Sequence, residues 1–295
     1  MTENINYLKQ LDALNKPWIE SPFFHKQIKK LKCSEIEIEL SKQFNSKGYV
    51  IIDLELDGSF IDDLIFKINI LSKSKDLKTN TDFFSYNDGP RIVDAGKHIS
   101  KVVDLALNDK ILSLLRFFYR KEPIPFSTIN FLTGTEQPLH SDTIHFGTMP
   151  RGYLSAAWIA LEDTDENNGA LRIIEGSHKL EDINYFDLKL NIPKNKQEMM
   201  SNYRNYEQYV KELKSALGLK EKIMCMKKGS VLIWAANLLH GGSIINDRSR
   251  SRYSQVTHYN FEGCDYYFHP FFSKPIHGKY YKRHIDEIDI RKLKR

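Results

Sequence analysis

The sequence predicts a mainly β protein with flanking helices, of the sandwich or jelly-roll kind. Two observations carry this. Up to about residue 120 apolar residues recur at helical spacing; after Pro125 short β-branched and aromatic runs take over, separated by turn residues. Many short strands with turn signals between them are the pattern of double-sheet architectures. No repeat, low-complexity tract or Pro/Gly/Ser-rich linker divides the 295 residues. They read as one domain, with a helical part over about 1–120 and a β core over about 125–262 that carries an insertion at about 180–219.

The elements follow in order. Tyr49–Leu56 comes after the turn residue Gly48 and is β-branched and apolar, a strand. Phe60, Ile61, Leu64, Ile65, Ile68 and Leu71 share one face of a helix. Ile99–Tyr119 reads as one helix or two in sequence. Asn108 and Asp109 are placed to cap the second, and Pro123 and Pro125 to end it. Strands are predicted at Phe126–Leu132, Tyr153–Leu161, Ala170–Ile174, Ile223–Met226, Val231–Trp234 and Arg252–Phe261. Asn168-Gly169 is a hairpin signal, because both residues tolerate positive φ, and Lys228-Gly229 is a weaker one. The insertion is polar, holds a predicted helix at Tyr206–Leu217, and has the size of a lid or pocket wall.

Composition narrows the function classes. Apolar residues at 41% allow a sizeable core, and an aromatic share of 12% suits β packing or a pocket. The net charge of +5 is concentrated near the end, in Lys279, Lys282, Arg283, Arg291, Lys292, Lys294 and Arg295. Such a run reads as a solvated face; a nucleic-acid surface needs a basic stripe on the folded body. Mild basicity leans toward an anionic substrate. Cys33, Cys225 and Cys264 form no CxxC pair, and their odd number argues against a disulfide framework and for a reducing compartment. Met1–Glu20 lacks the basic start and apolar run of a signal peptide. No apolar stretch approaches the ~20 residues of a membrane span. A cytoplasmic protein acting on a small molecule, with no nucleic-acid or membrane partner, is the expectation; oligomeric state is left open.

Three features of the β half carry chemistry. In His140-Ser141-Asp142 the outer residues, two apart on an extended segment, project to one face and can grip a metal from one side. His240, in Leu238-Leu239-His240-Gly241-Gly242-Ser243, lies just past a strand and completes a set of two histidines and one carboxylate. That set leaves positions open on Fe(II) for a cosubstrate and O2. Third, Arg252 opens the last strand, and a guanidinium takes a carboxylate in a bidentate grip. Arg250 alternates onto the same face and stays open as a second candidate. A lone histidine is more often a hydrogen-bonded core residue than a ligand. A second HxD triplet, His284-Ile285-Asp286, sits in the charged tail with no histidine after it and reads as incidental.

At these residues the chain resembles the phytanoyl-CoA dioxygenase family of Fe(II)/2-oxoglutarate oxygenases, from about Pro125 to Phe261. The matching stretches are Pro138–Asp142, Ala157–Thr164, Asn168–Leu171, Glu175–Lys179 and His240–Ser243, with Arg252 and His258. The resemblance implies a double-stranded β-helix (a cupin-like jelly roll) with helices outside. It implies iron on His140, Asp142 and His240, 2-oxoglutarate on Arg252, Trp158 beside the cosubstrate, and a structural role for the NG turn and the Gly-Ser-His segment. Ser243 follows from the same motif as a cosubstrate neighbour. Where family halogenases carry a small residue, this chain keeps Asp142, which favours hydroxylation. Two departures stand out: Glu175 occupies a position where the family often has proline, and the His240-to-Arg252 spacing is about one residue long. His145, Phe146, Met149 and Arg151 follow the HxD segment and are candidates for the substrate mouth, against the plainer reading of an exposed loop. Arg91 and Lys97 are candidates for the N-terminal wall of the cosubstrate site. His258 is a candidate neighbour of the metal ligands. The aromatic run Tyr266–Phe272 either closes over the site or packs in the core. The alternative to an oxygenase is a cupin-like metal protein or isomerase that does not turn over 2-oxoglutarate, for which the arginine has no evident use.

Overall fold

In the computed structural model, which describes residues 16–74, 91–191, 193–268, 281–283 and 289–293, helices come first and strands follow. The helical part contains α1 (Phe24–Ile28), α2 (Glu35–Lys47), α3 (Gly58–Ser72), α4 (Ser100–Ala106) and α5 (Asp109–Tyr119), with strands β1 (Tyr49–Asp53) and β2 (Arg91–Val93) among them. Local chemistry sets their ends. A capping box starts α2: the Ser34 hydroxyl accepts the Glu37 N–H while the Glu37 carboxylate accepts the Ser34 N–H. Gly48, at φ +85, ends it. The Ile99–Tyr119 segment is two helices, and the Asn108 side chain caps α5 by accepting from the Lys110 and Ile111 N–H groups. Asp109 is the first residue inside α5 rather than its cap, where its charge suits the helix dipole.

The β half holds β3 (Pro123–Phe131), β4 (Phe146–Met149), β5 (Ser155–Ala160), β6 (Leu171–Ile173), β7 (Lys222–Met224), β8 (Ser230–Ala235), β9 (His240–Gly242), β10 (Ser254–Phe261), β11 (Asp265–Phe268) and β12 (Tyr281–Arg283). A six-stranded sheet runs β1-β8-β5-β10-β3-β2, and two three-stranded sheets run β7-β6-β9 and β12-β11-β4. Every pairing is antiparallel. The architecture is a double-stranded β-helix with helices packed outside.

Period-two alternation divides the core. Val231 and Ile233 of β8 face Ile61, Leu64, Ile68 and Phe118 of the helical layer, while Leu232 and Trp234 join Trp158, Val256 and Ile173 between the sheets. With apolar cover on both sides, no residue of β5 or β10 is exposed.

Four expectations are corrected. Pro123 and Pro125 do more than stop α5: Pro123 is the first residue of β3, and Pro125 sits beside the register shift at His258/Tyr259, two places where a ladder tolerates a missing donor. Asn168-Gly169 does not close a hairpin, because β5 and β6 belong to different sheets and the turn carries the chain between them. The Asn168 side chain fastens that turn, accepting from Asp165 N–H and donating to the carbonyls of Asp163 and Ser251. Lys228-Gly229 likewise passes between sheets, from β7 to β8. The insertion helix, α6 (Lys196–Ala216), starts ten residues before the predicted one, capped by Asn195 on the Glu198 N–H. Of the aromatic tail run, Tyr266 packs on Phe126 in a buried cluster; residues 269–272 and the His284-Ile285-Asp286 triplet lie outside the described residues.

The Gly-Ser-His segment ties the two halves together. His178 Nε2 donates to the Asn45 carbonyl at 3.1 Å. A Cβ at Gly48 would lie 2.4 Å from His178 Nδ1, so glycine is needed there twice over. Glu175 accepts from the Tyr49 hydroxyl at 2.6 Å and pairs with Lys222 at 2.8 Å. Burial pushes the His178 imidazole down to about 4, from 6.5. Between these values the unfolded chain takes up a proton that the folded chain refuses, so stability present above 6.5 is lost as pH falls through that window. His178→Gln keeps an N–H donor but cannot titrate. Urea denaturation at pH 7 and pH 5 should show a smaller acid loss in this variant than in wild type.

Candidate metal centre

His140 and His240 face each other because their backbones exchange two hydrogen bonds, His140 N–H to His240 O at 2.8 Å and His240 N–H to His140 O at 2.9 Å. The ring centroids are 4.5 Å apart. Each ring donates from Nδ1 to the carbonyl two residues before it, Pro138 or Leu238, both at 2.9 Å. That bond fixes the tautomer and leaves the Nε2 lone pair facing the centre. Asp142 is not on a strand: it opens a 3-10 turn, and its N–H bonds the Ala236 carbonyl at 2.8 Å. One donor atom from each of His140, Asp142 and His240 lies within 4.8 Å of the others, and all three residues are buried.

The glycines after His240 let this happen. A Cβ at Gly241 would lie 2.6 Å from the Gln137 carbonyl, and one at Gly242 would lie 2.7 Å from the Glu136 nitrogen. Only bare backbone lets the segment carrying His140 lie on β9.

Two side chains aim the carboxylate. Trp234 Nε1 donates to Asp142 Oδ2 at 2.8 Å, and His258 Nε2 lies 3.5 Å from Oδ1. Trp234 and His258 stand on either side of Ala156 in the sheet register, whose small side chain separates them. Burial, with His240 and His145 adding to it, holds His140 well below the usual imidazole value, in the neutral form a ligand needs. Burial pushes Asp142 up, but His240 and His258 outweigh it and hold the carboxyl below its ordinary value. Two imidazoles and one carboxylate, with open space beside them, fit a divalent iron.

That space is a cavity of about 180 Å³ that reaches from the triad to Arg252. The Arg252 side chain is buried, lies over Trp158 and Phe131, and donates to Ser254 Oγ at 2.7 Å and to the Thr133 carbonyl at 3.2 Å. Its Nε has no partner, and it forms no ion pair among the described residues. Burial pushes the guanidinium down to about 10, with Arg91 adding and Glu162 opposing.

Most candidates converge on this cavity. Trp158, Arg91, His145, Phe146 and His258 all line it. Others do not. Arg250 pairs with Asp165 at 2.8 Å on the surface. Arg252 does not open the last strand, which starts at Ser254; Arg250 and Arg252 both precede β10, where strand alternation does not apply. Lys97 is largely exposed and pairs with Asp94. Ser243 is buried just past β9 but does not line the cavity; its N–H bonds the Ala170 carbonyl. Arg151 lines a neighbouring cavity, and Phe146 and Met149 belong to strand β4 rather than an exposed loop.

Sequence reading missed Trp234, Gln137, Tyr203 and Tyr206. From α6 the Tyr206 hydroxyl accepts the Ser141 N–H at 3.0 Å. The Tyr203 hydroxyl accepts from Gln137 Nε2 at 3.1 Å, and that amide lies 3.3 Å from His140 Nε2. The i,i+3 tyrosines were a signal, lost because the predicted helix began at Tyr206. Trp234 was legible as an inward residue alternating with Leu232.

A family model described as phytanoyl-CoA dioxygenase matches residues 46–251, more than half of the chain. Among curated proteins the chain is similar to the peroxisomal phytanoyl-CoA dioxygenases of Rattus norvegicus (28% identical) and Homo sapiens (26% identical), each over 110 residues. Those matches cover 37% of this chain and 29% of the relative, so the chain matches under a third of the relatives' length. Among solved structures it is similar to the non-haem α-ketoglutarate-dependent epimerase SnoN from nogalamycin biosynthesis, with TM-score 0.60, 16% identity, and 81% of this chain and 87% of that one covered. The carbocyclase SnoK gives 0.60, 13%, 86% and 95%. EctD from S. alaskensis, with 2-oxoglutarate and 5-hydroxyectoine, gives 0.56, 19%, 78% and 76%. At these identities the likeness is one of fold.

Trp234→Phe keeps the ring and removes the donor to Asp142. Competition with a fluorescent chelator should show Fe(II) affinity reduced roughly 10–100-fold, the usual cost of losing an outer partner of a metal ligand, with the folded state retained.

Proposed function

The chain belongs to the phytanoyl-CoA dioxygenase family, and from that premise we propose that it is an Fe(II)/2-oxoglutarate-dependent hydroxylase of an unactivated C–H bond in a small molecule. Its cofactors are Fe(II), 2-oxoglutarate and O2. When bound, they couple oxidative decarboxylation of 2-oxoglutarate to succinate with oxidation of the substrate. His140, Asp142 and His240 hold the iron on one face, and the bridge between the two histidines keeps that face rigid. Arg252 takes the distal carboxylate of 2-oxoglutarate, with Trp158 beneath it. Trp234 and His258 keep Asp142 oriented. The apolar lining of Ile129, Phe131 and Val256 excludes water from the cosubstrate end.

The observation that carries this reading is Arg252. A buried cation without a counter-ion is costly, and a ligand carboxylate removes that cost. A cupin-like metal protein without 2-oxoglutarate leaves the guanidinium unexplained. Hydroxylation is preferred over halogenation because Asp142 occupies the third ligand position.

Uncoupled turnover tests the assignment without knowledge of the substrate. Succinate should form slowly from 2-oxoglutarate in the presence of Fe(II) and O2. Arg252→Gln should raise the KM for 2-oxoglutarate by at least about tenfold, the scale of one charge-assisted pair, while Arg250→Gln leaves it unchanged. Equal effects of the two variants would sink the assignment.

A further inference from the structure

Beside the iron cavity lies a second one of about 410 Å³, with Phe146 common to both walls and Thr143, next to the ligand Asp142, on its side. Its volume falls among small-molecule sites, roughly 300–1,000 Å³. Much of the wall is glycine and apolar side chain, from Phe146, Met149 and Leu154 to Gly147 and Gly152. Two charged residues line it, Asp182 and Arg151. Arg151 is exposed, whereas Asp182 is half-buried and forms no ion pair among the described residues.

Carboxyl groups gather on the buried side, although the chain as a whole carries +5. Behind Gly152 stands Glu20, whose Oε2 lies 3.7 Å from where a Cβ on that glycine would be. Burial pushes Glu20 up to about 8, and Asp182 adds to the rise. Burial also raises Asp182, with Asp187 adding and Thr143 and Arg151 opposing. Two neighbouring carboxyls resisting ionisation are a wall that a cation would relieve.

We propose that this second cavity is the substrate site and that it selects a substrate bearing a protonated amine, held by Asp182 while another part of the molecule reaches past Phe146 toward the iron. The proposal rests on the oxygenase reading above and names its substrate class. It reverses the anionic substrate that net charge suggests, because the charge excess lies elsewhere on the chain.

Three probes of matched size test it: 3-phenylpropylamine, 3-phenylpropanol and 3-phenylpropionate, titrated by ligand-observed NMR into protein loaded with Zn(II) and 2-oxoglutarate. The amine should bind at least tenfold tighter than the other two. Asp182→Asn, nearly isosteric, should abolish the preference, and Arg151→Gln should leave it. Equal binding of the three probes, or an amine preference that survives Asp182→Asn, overturns the proposal; so does tighter binding of the carboxylate that is lost in Arg151→Gln. Binding of 2-oxoglutarate to the Zn(II)-loaded protein, measured in parallel, separates the two readings: its failure to bind overturns the oxygenase reading, whereas absence of the amine preference with 2-oxoglutarate bound overturns this proposal alone.

Discussion

The two backbone hydrogen bonds between His140 and His240 are the constraint from which the rest of the site follows. They make residues 100 positions apart in sequence direct neighbours, and they leave no freedom in how the two imidazoles approach. Everything nearby serves that contact. Gly241 and Gly242 remove the side chains that would hold the strands apart, and the Pro138 and Leu238 carbonyls turn each ring so that Nε2 faces inward. Asp142 then needs only to be aimed, by Trp234 on one oxygen and His258 near the other. A site held by backbone pairing is more rigid than one held by loop side chains, which suits ligands that must keep open positions on a metal.

The second constraint is charge. Arg252 is fully desolvated with its Nε unpaired, an arrangement that lowers the stability of the empty protein. The fold tolerates it because the guanidinium rests on two aromatic faces and donates to Ser254 and Thr133. Stability is thus given up where, on the proposed reading, a dianionic cosubstrate would restore it on binding, and the aromatic wall that supports the arginine also shapes the cavity. The insertion contributes from the opposite side, where Tyr203 and Tyr206 of α6 grip Gln137 and Ser141 and so couple this helix to the segment bearing the ligands.

The convergence of His140, Asp142, His240 and Arg252 on one cavity, and the strand run, were legible from local signatures: a histidine and a carboxylate two apart, a histidine before paired glycines, β-branched runs between turns. What was not legible depended on which elements meet in space. Asn168-Gly169 carries the mark of a hairpin, but whether a turn joins strands of one sheet or crosses between two is a property of the whole topology. Arg250 and Arg252 look equivalent as alternating residues, yet both precede β10; they differ because the Arg252 N–H is held by the Leu132 carbonyl and its side chain is buried, whereas Arg250 pairs with Asp165 on the surface. Ser243 was carried by its motif, yet the strand ends one residue earlier and its side chain lies outside the cavity. Trp234 reads as ordinary core until its indole N–H is seen to face a carboxylate.

The central claim is that iron and 2-oxoglutarate meet in one cavity, held by the triad at one end and Arg252 at the other. The most direct measurement is the visible spectrum of the protein made anaerobic with Fe(II) and titrated with 2-oxoglutarate. The account predicts a weak metal-to-ligand charge-transfer band in wild type that is lost in His140→Ala and needs far more 2-oxoglutarate in Arg252→Ala. No band at saturating 2-oxoglutarate, with iron shown to be bound, would contradict it and leave a metal protein of the same fold without this cosubstrate.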